Sequence, residues 1–315
     1  MTGDLAAQVA QLCAAGQDDL AIEIGERLVV DAPGDVDLRL RLGFVYGALE
    51  RFDEAFAHLD AAEHHAEGAR ADVFAQRANL ESFSGRGQAK PTAARAIEIE
   101  PLQPQWVYFL AEHPLQGDFL VLDDAKVVFS PVPKSASTSL KQLFRQLEPS
   151  PNGERAHQQF GGERLRLDRL RLPELNLEDY YRFAIQRDDL DRFVSYYRRN
   201  VEQSGSLRRA GHDLDSYLGL STEPGIDELA TNLARYQYVF LDVRHHTLPS
   251  RAYVHSEPDF YNDVFALDEL DQLAQRLRGH TGDQVTIAHK LRSLDPSDDA
   301  LNPESVNALD AYFGY

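Results

Sequence analysis

The chain has 315 residues, room for about two domains, and an apolar fraction of 43% that suits a folded globular protein. Its net charge of −19 repels phosphate backbones and anionic lipid, so neither nucleic acid nor a membrane is expected as a partner. The single cysteine, Cys13, excludes an intrachain disulfide, and no apolar run reaches the ~18 residues of a membrane span. Asp4 stands where a secretory leader carries Lys or Arg, so a cytoplasmic protein is expected. The basic residues are mostly Arg, with only five Lys, so a Lys inside a motif carries weight.

From the N-terminus, small and apolar residues recur every 34 positions: Ala21, Ala55 and Ala89; Leu12, Tyr46 and Leu80; Leu28, Ala62 and Ala96. Pro33 and Pro101 lie two such steps apart, and turn-forming residues such as Ala15-Gly16-Gln17 and Ser84-Gly85-Arg86-Gly87 fall between. The period predicts stacked helical pairs, each burying one face on the next. This pattern resembles tetratricopeptide repeats. The middle copy, Leu42-Gly43-Phe44-Val45-Tyr46 followed by Ala55, is nearest to that family, while the flanking copies carry Val9 and Arg77 where it has Gly43. The resemblance implies about three repeats over residues 1–103, all α, with a surface for a protein or carrier partner or for packing on a neighbouring domain. An unrelated helical bundle is the plain alternative.

After Pro101 the pattern changes. The runs 119–122, 126–129 and 181–185 are short, apolar and bounded by charge or Pro, as expected of buried parallel strands. Helical stretches alternate with them at about 138–147, 189–202, 225–240, 267–279 and 303–313. Residues 148–179, rich in Pro, Gly, Arg and Glu, read as a loop-rich excursion, and 204–213 as a polar loop. Residues 104–315 are therefore expected to form an α/β domain, a parallel sheet flanked by helices.

Two segments of this region carry chemistry. Residues 127–140 read as a strand, a tight loop and a helix start. Such a loop offers unpaired backbone N–H groups and the positive end of the helix dipole. Ser135, Ser137, Thr138 and Ser139 add hydroxyls around Ala136, and Lys134 adds a point charge, so the whole is a phosphate cradle. The Gly-x4-Gly-Lys of a Walker loop is absent. A hydroxyl-rich helix cap is the plain reading. Residues 181–197 repeat the design: a strand ends at Arg187, a helix follows, and Ser195 lies about two turns on. Arg187 offers a planar charged fork to a phosphate and Ser195 a hydroxyl; an ordinary surface Arg is the alternative. Arg192, Tyr196 and Tyr197 are expected to pack or pair within the fold.

The run Pro133-Lys134-Ser135-Ala136-Ser137-Thr138-Ser139 resembles the 5'-phosphosulfate loop of sulfotransferases that use 3'-phosphoadenosine 5'-phosphosulfate (PAPS). Arg187-Asp188 with Arg192, Ser195 and Tyr197 resembles their 3'-phosphate segment, with Asp189 in place of the usual Pro. Pro there is a convenience for the turn, so its replacement is expected to matter little. The likeness is nearest to the carbohydrate-type branch that includes heparan sulfate 2-O-sulfotransferase, and covers roughly residues 118–315.

The resemblance implies a P-loop-like sulfotransferase fold and transfer of a sulfuryl group from PAPS to an acceptor hydroxyl, without a metal. Lys134 would stabilise the leaving oxygen, residues 135–139 hold the 5'-phosphosulfate, and Arg187 and Ser195 hold the 3'-phosphate. Within His289-Lys290-Leu291-Arg292-Ser293, Lys290 and Arg292 resemble a basic segment that closes over the nucleotide. The general base is open: His157, between the two motifs, comes first, with Glu154 and Glu163 as rivals and His246 as the other candidate. The acceptor is expected to be a carbohydrate or glycoconjugate, with a small metabolite, a lipid or a peptide tyrosine as alternatives. Two other readings are a nucleotide enzyme of another kind and an inactive adaptor whose repeats bind a protein.

Overall fold

The computed structural model describes residues 4–149, 153–282, 287 and 301–314. They fall into two compact units: one gathers Met1–Pro101, Tyr197–His245 and Leu301–Tyr315, the other Leu102–Tyr196 and His246–Ala300.

The first unit opens with six helices, α1 (Leu5–Ala14), α2 (Asp18–Asp31), α3 (Val36–Ala48), α4 (Phe52–His65), α5 (Ala71–Ser84) and α6 (Ala89–Ile99). Asp4 and Asp35 cap α1 and α3 by accepting from the N–H groups of Ala7 and Leu38 at 3.0 and 2.9 Å. The helices pack in successive pairs, and small residues mark their crossings: a Cβ on Gly25 would lie 2.5 Å from Leu42, and one on Gly43 3.2 Å from Leu59. Ala21, Ala55, Ala62 and Ala96, all from the 34-residue pattern, are fully buried. The N-terminal region is thus all helical, with the small residues of the repeat where helices meet.

In the second unit α7 (Gln105–Leu110) leads to β1 (Leu120–Leu122) and β2 (Val127–Ser130), followed by α8 (Ser137–Leu147), α9 (Ala156–Gln159), α10 (Gly162–Arg171), β3 (Tyr181–Gln186) and α11 (Asp189–Tyr196). The chain then contributes to the first unit a π-helical turn (Tyr197–Glu202), α12 (Ser206–Ala210), the small hairpin β4 (Ser216–Tyr217) and β5 (Leu220–Ser221), α13 (Ile226–Thr231) and α14 (Leu233–Val239). The helix α15 (Leu241–Thr247) precedes β6 (Asp263–Ala266) and α16 (Leu270–Thr281) of the second unit, and α17 (Pro303–Phe313) belongs to the first. No helix among the described residues is long and apolar enough to cross a membrane.

Residues 197–245, which the sequence groups with the strands, fold with the helical pairs through aromatic packing. Tyr238 of α14 stacks on Phe44 and Phe83, with ring centroids 5.5 and 5.0 Å away. Gly47 makes room for it: a Cβ there would collide with the Tyr238 hydroxyl. Arg235 also donates to the carbonyl of Ala48 at 2.9 Å.

The sheet of the second unit has the order β1-β2-β3-β6. β2, β3 and β6 are parallel, as their apolar runs suggest, with Phe129 beside Phe183 and Ile185 beside Phe265. β1 corrects the expectation of parallel strands: it pairs antiparallel with β2, Leu120 opposite Phe129. Four residues join the two strands, and a parallel crossover needs about a dozen. Both faces of the sheet are covered. Phe129, Leu140, Phe144, Phe183 and Leu273 fill one, and Phe119, Val121, Val128 and Leu172 the other.

The excursion at 148–179 is also corrected, because it contains the ten-residue helix α10. Its Pro, Gly, Arg and Glu content reads as loop, yet Asp168 and Arg169 are buried. Asp168 accepts from the Val121 N–H at 2.9 Å and from Arg164 at 2.9 Å. Arg169 donates to the Gly117 carbonyl at 2.8 Å and to Asp118 at 2.7 Å. Paired and hydrogen-bonded, these charges fix α10 to β1.

Candidate functional site

The parallel strands β2 and β3 end side by side, Ser130 next to Ala184, so the loops leaving them share one edge of the sheet. In open α/β sheets that carboxyl edge is where ligands bind. The loop after β2 runs through buried Pro131, Val132 and Pro133. Lys134 and Ala136 then take left-handed conformations, φ 65° and 55°. A non-glycine residue in that region costs about 1–2 kcal/mol, and such strain gathers at ligand sites. Ala136 sits at the N-cap of α8 and supplies no side-chain cap, so the first N–H groups of the helix are left to face the loop. Ser137 and Thr138 open this turn half-buried, and Ser139 follows, 8% exposed. Ser135 is fully buried, and its Oγ has no hydrogen-bond partner. A buried hydroxyl left in that state is unfavourable unless something arrives to pair it.

The loop after β3 is built differently. Asp188 caps α11 through the Asp191 N–H at 3.0 Å. Arg187 turns back and donates from Nη1 to the carbonyl of Lys134 at 3.3 Å, while its Nε lies 3.9 Å from Asp191. Burial pulls its pKa below the ordinary arginine value. The two motifs, 53 residues apart in sequence, therefore meet at one point.

Beneath this contact lies a buried clamp. Arg192, 1% exposed, donates to the carbonyls of Pro133 and Leu248, both at 3.0 Å, and to Asp189 at 2.5 Å. Asp189 in turn accepts from the Ser250 N–H at 2.9 Å. The Asp that replaces Pro is thus no neutral exchange: with Arg192 it ties α11 to the Lys134 loop and to residues 248–250. Nothing in the local sequence marks it, because its partners are distant in the chain.

The remaining candidates lie with different elements. Ser195 is half-buried on α11, two turns from Arg187. His246 stacks its ring on Tyr196, centroids 5.3 Å apart, and its carbonyl accepts from Arg192 at 3.4 Å. His157 is on α9, which packs on α8. Its ring keeps an exposed edge, and its pKa is lowered by partial desolvation and by the nearby charge of Lys141. Glu154 and Glu163 are exposed. Lys290 and Arg292 lie outside the described residues.

Lys141 itself was not expected. It is 9% exposed on α8, and burial pulls its pKa down, opposed only by the charge of Asp118. A signal was present in the sequence: it is one of five lysines and stands one helical turn after Ser137.

Residues 117–232 match the model of a family described as the sulfotransferase family. No curated protein and no solved structure matches the chain. The matched segment holds both turns and supports a sulfotransferase-type domain, with sulfuryl transfer in general as its chemistry.

Proposed function

We propose that residues 104–315 contain a PAPS-dependent sulfotransferase that modifies a hydroxyl of a carbohydrate or glycoconjugate, and that residues 1–103 are tetratricopeptide repeats that hold a carrier or protein partner. The observation that carries the donor reading is the hydrogen bond from Arg187 to the Lys134 carbonyl. It sets two cationic strand-to-helix turns together, as one nucleotide with phosphates at both ends requires. The residues present fit that ligand. The cradle has a strained loop, an uncapped helix start and, in Ser135, a buried hydroxyl awaiting a partner.

Bound PAPS supplies the activated sulfuryl group. The N–H groups at the start of α8 and the hydroxyls of Ser137, Thr138 and Ser139 donate to its 5' oxygens. Arg187 and Ser195 hold the 3'-phosphate. Lys134 neutralises the charge that develops on the bridging oxygen as the S–O bond breaks, a role preorganised by its fixed loop. His157 takes the proton as the acceptor oxygen attacks sulfur. Its depressed pKa keeps the ring neutral, and so basic, at neutral pH. His246 is the second candidate for this step. The carbohydrate acceptor rests on the branch likeness of the two motifs, and the repeat reading on the 34-residue spacing of buried small residues.

The test is transfer from sulfur-labelled PAPS to a panel of glycans, phenols and tyrosine peptides. Label is expected on a glycan hydroxyl, with 3'-phosphoadenosine 5'-phosphate (PAP) released, and Lys134→Ala is expected to slow both by about 10²–10³-fold. Labelling of the tyrosine peptide alone would overturn the acceptor assignment. Absence of any thermal shift with PAP would overturn the donor.

A further inference from the structure

The cradle as described has one side-chain cation at its phosphosulfate end, Lys134. A phosphosulfate carries one negative charge on its phosphate and one on its sulfate, and the phosphate gains another as the S–O bond breaks. We infer that Lys141 is a second cation of the donor site, pairing with an anionic oxygen of the phosphosulfate end. This inference rests on the donor reading above.

Three observations carry it. First, Lys141 is 9% exposed and makes no hydrogen bond or ion pair among the described residues. A charged side chain so largely buried without an ion-pair partner is unfavourable, and such groups are kept where a ligand of opposite charge will pair them. Second, its place on α8 aims it at the cradle. Lys141 follows Ser137 by four residues and shares its face of the helix. Long side chains on a helix lean back over the preceding turn, so the ammonium extends toward the helix N-terminus, where the N–H groups are uncapped. Third, the groups around it are already occupied or neutral. Asp118, two residues before β1, is the one acidic group among the described residues whose charge reaches Lys141. The Asp118 carboxylate is taken by Arg169 at 2.7 Å, and it remains only a distant attraction for Lys141. His157, the other titratable neighbour, is made less basic by the Lys141 charge and offers no negative charge in return. With Ser135, this makes two buried polar side chains of one loop and helix that lack a partner.

The test compares wild type and Lys141→Met by calorimetric titration with PAPS, PAP and adenosine 3'-phosphate, which lacks the 5' group. Methionine keeps length and apolar bulk but removes the charge. Lys141→Met is expected to weaken PAPS at least tenfold while leaving adenosine 3'-phosphate within twofold. A matching loss on PAP assigns the oxygen to the phosphate; a loss on PAPS alone assigns it to the sulfuryl group. The unliganded variant is expected to melt no lower than wild type, because the charge it removes has no partner there. Unchanged PAPS affinity in the variant would overturn the inference. So would equal loss on all three nucleotides, or a lower melting temperature, since either would make Lys141 a structural residue. Failure of the wild-type protein to bind PAPS and PAP would overturn the donor reading itself, and the inference with it.

Discussion

The two strand-to-helix turns look alike in sequence and are opposite in construction. The turn at Lys134 is strained and unfinished: left-handed Lys134 and Ala136, a helix without a side-chain cap, and a buried Ser135 hydroxyl without a partner. The turn at Arg187 is finished. Asp188 caps its helix, Asp189 and Arg192 are buried as a pair, and Arg187 donates to the first turn. One turn keeps its donors open, while the other uses most of its polar groups to hold the first in place. The difference teaches that a shared pattern of strand, charge and helix does not imply a shared role. In the second turn Arg187 reaches the Lys134 loop, and Asp189 with Arg192 is scaffold.

Substitutions can sharpen this contrast. The largest effect is expected at His157. His157→Gln should lower turnover by about 10²–10⁴-fold while leaving PAP binding intact. If turnover survives and His246→Gln abolishes it, the base is His246. Lys134→Ala should lower turnover by about 10²–10³-fold with little change in melting temperature, since the role proposed for it is in the reaction and not in the fold. Asp189→Ala should do the reverse. Removing one partner of a buried ion pair costs about 3–5 kcal/mol, seen as a lower midpoint in urea, and nucleotide binding fails only as the fold loosens.

A pH profile separates the turns more finely. The folded pKa of His157 is depressed, so the neutral, basic ring persists below the ordinary histidine value near 6.5, and with His157 as the proposed base activity should be lost only as pH falls through the depressed value. The same shift makes His157 disfavour the folded state as pH falls from about 6.5, so its effect on stability runs in the acid direction only. Lys141→Met removes one cause of the depression and should move the acid limb upward. The smallest expected change is Ser135→Ala. Deleting a hydroxyl without a partner should leave the unliganded protein within ~1 kcal/mol of wild type, yet weaken PAP.

What was legible in the sequence is what depends on near neighbours. The helix begun by Ser137, the strands at 127–130 and 181–186, and the two strand-to-helix turns all follow from local pattern. The features that escaped depend on distant partners. Charges on α10 read as loop because their partners, Val121, Gly117 and Asp118, lie about fifty residues away. Tyr238 belongs with Phe44 and Gly47, a pairing across nearly two hundred residues that no periodicity encodes. Asp189 looked like a tolerated replacement because the Ser250 N–H it holds is 61 positions on. Lys141 is the intermediate case, since its spacing from Ser137 was visible but its burial was not.

The most direct measurement of the central claim is a phosphate dissection of binding. Wild type, Lys134→Ala and Arg187→Ala would each be titrated with PAP, adenosine 5'-phosphate and adenosine 3'-phosphate. PAP should bind wild type more tightly than either monophosphate. Lys134→Ala should lose the contribution of the 5' group, and Arg187→Ala that of the 3' group. If PAP binds no better than the monophosphates, or if both variants lose the same phosphate, the two turns do not hold opposite ends of one nucleotide.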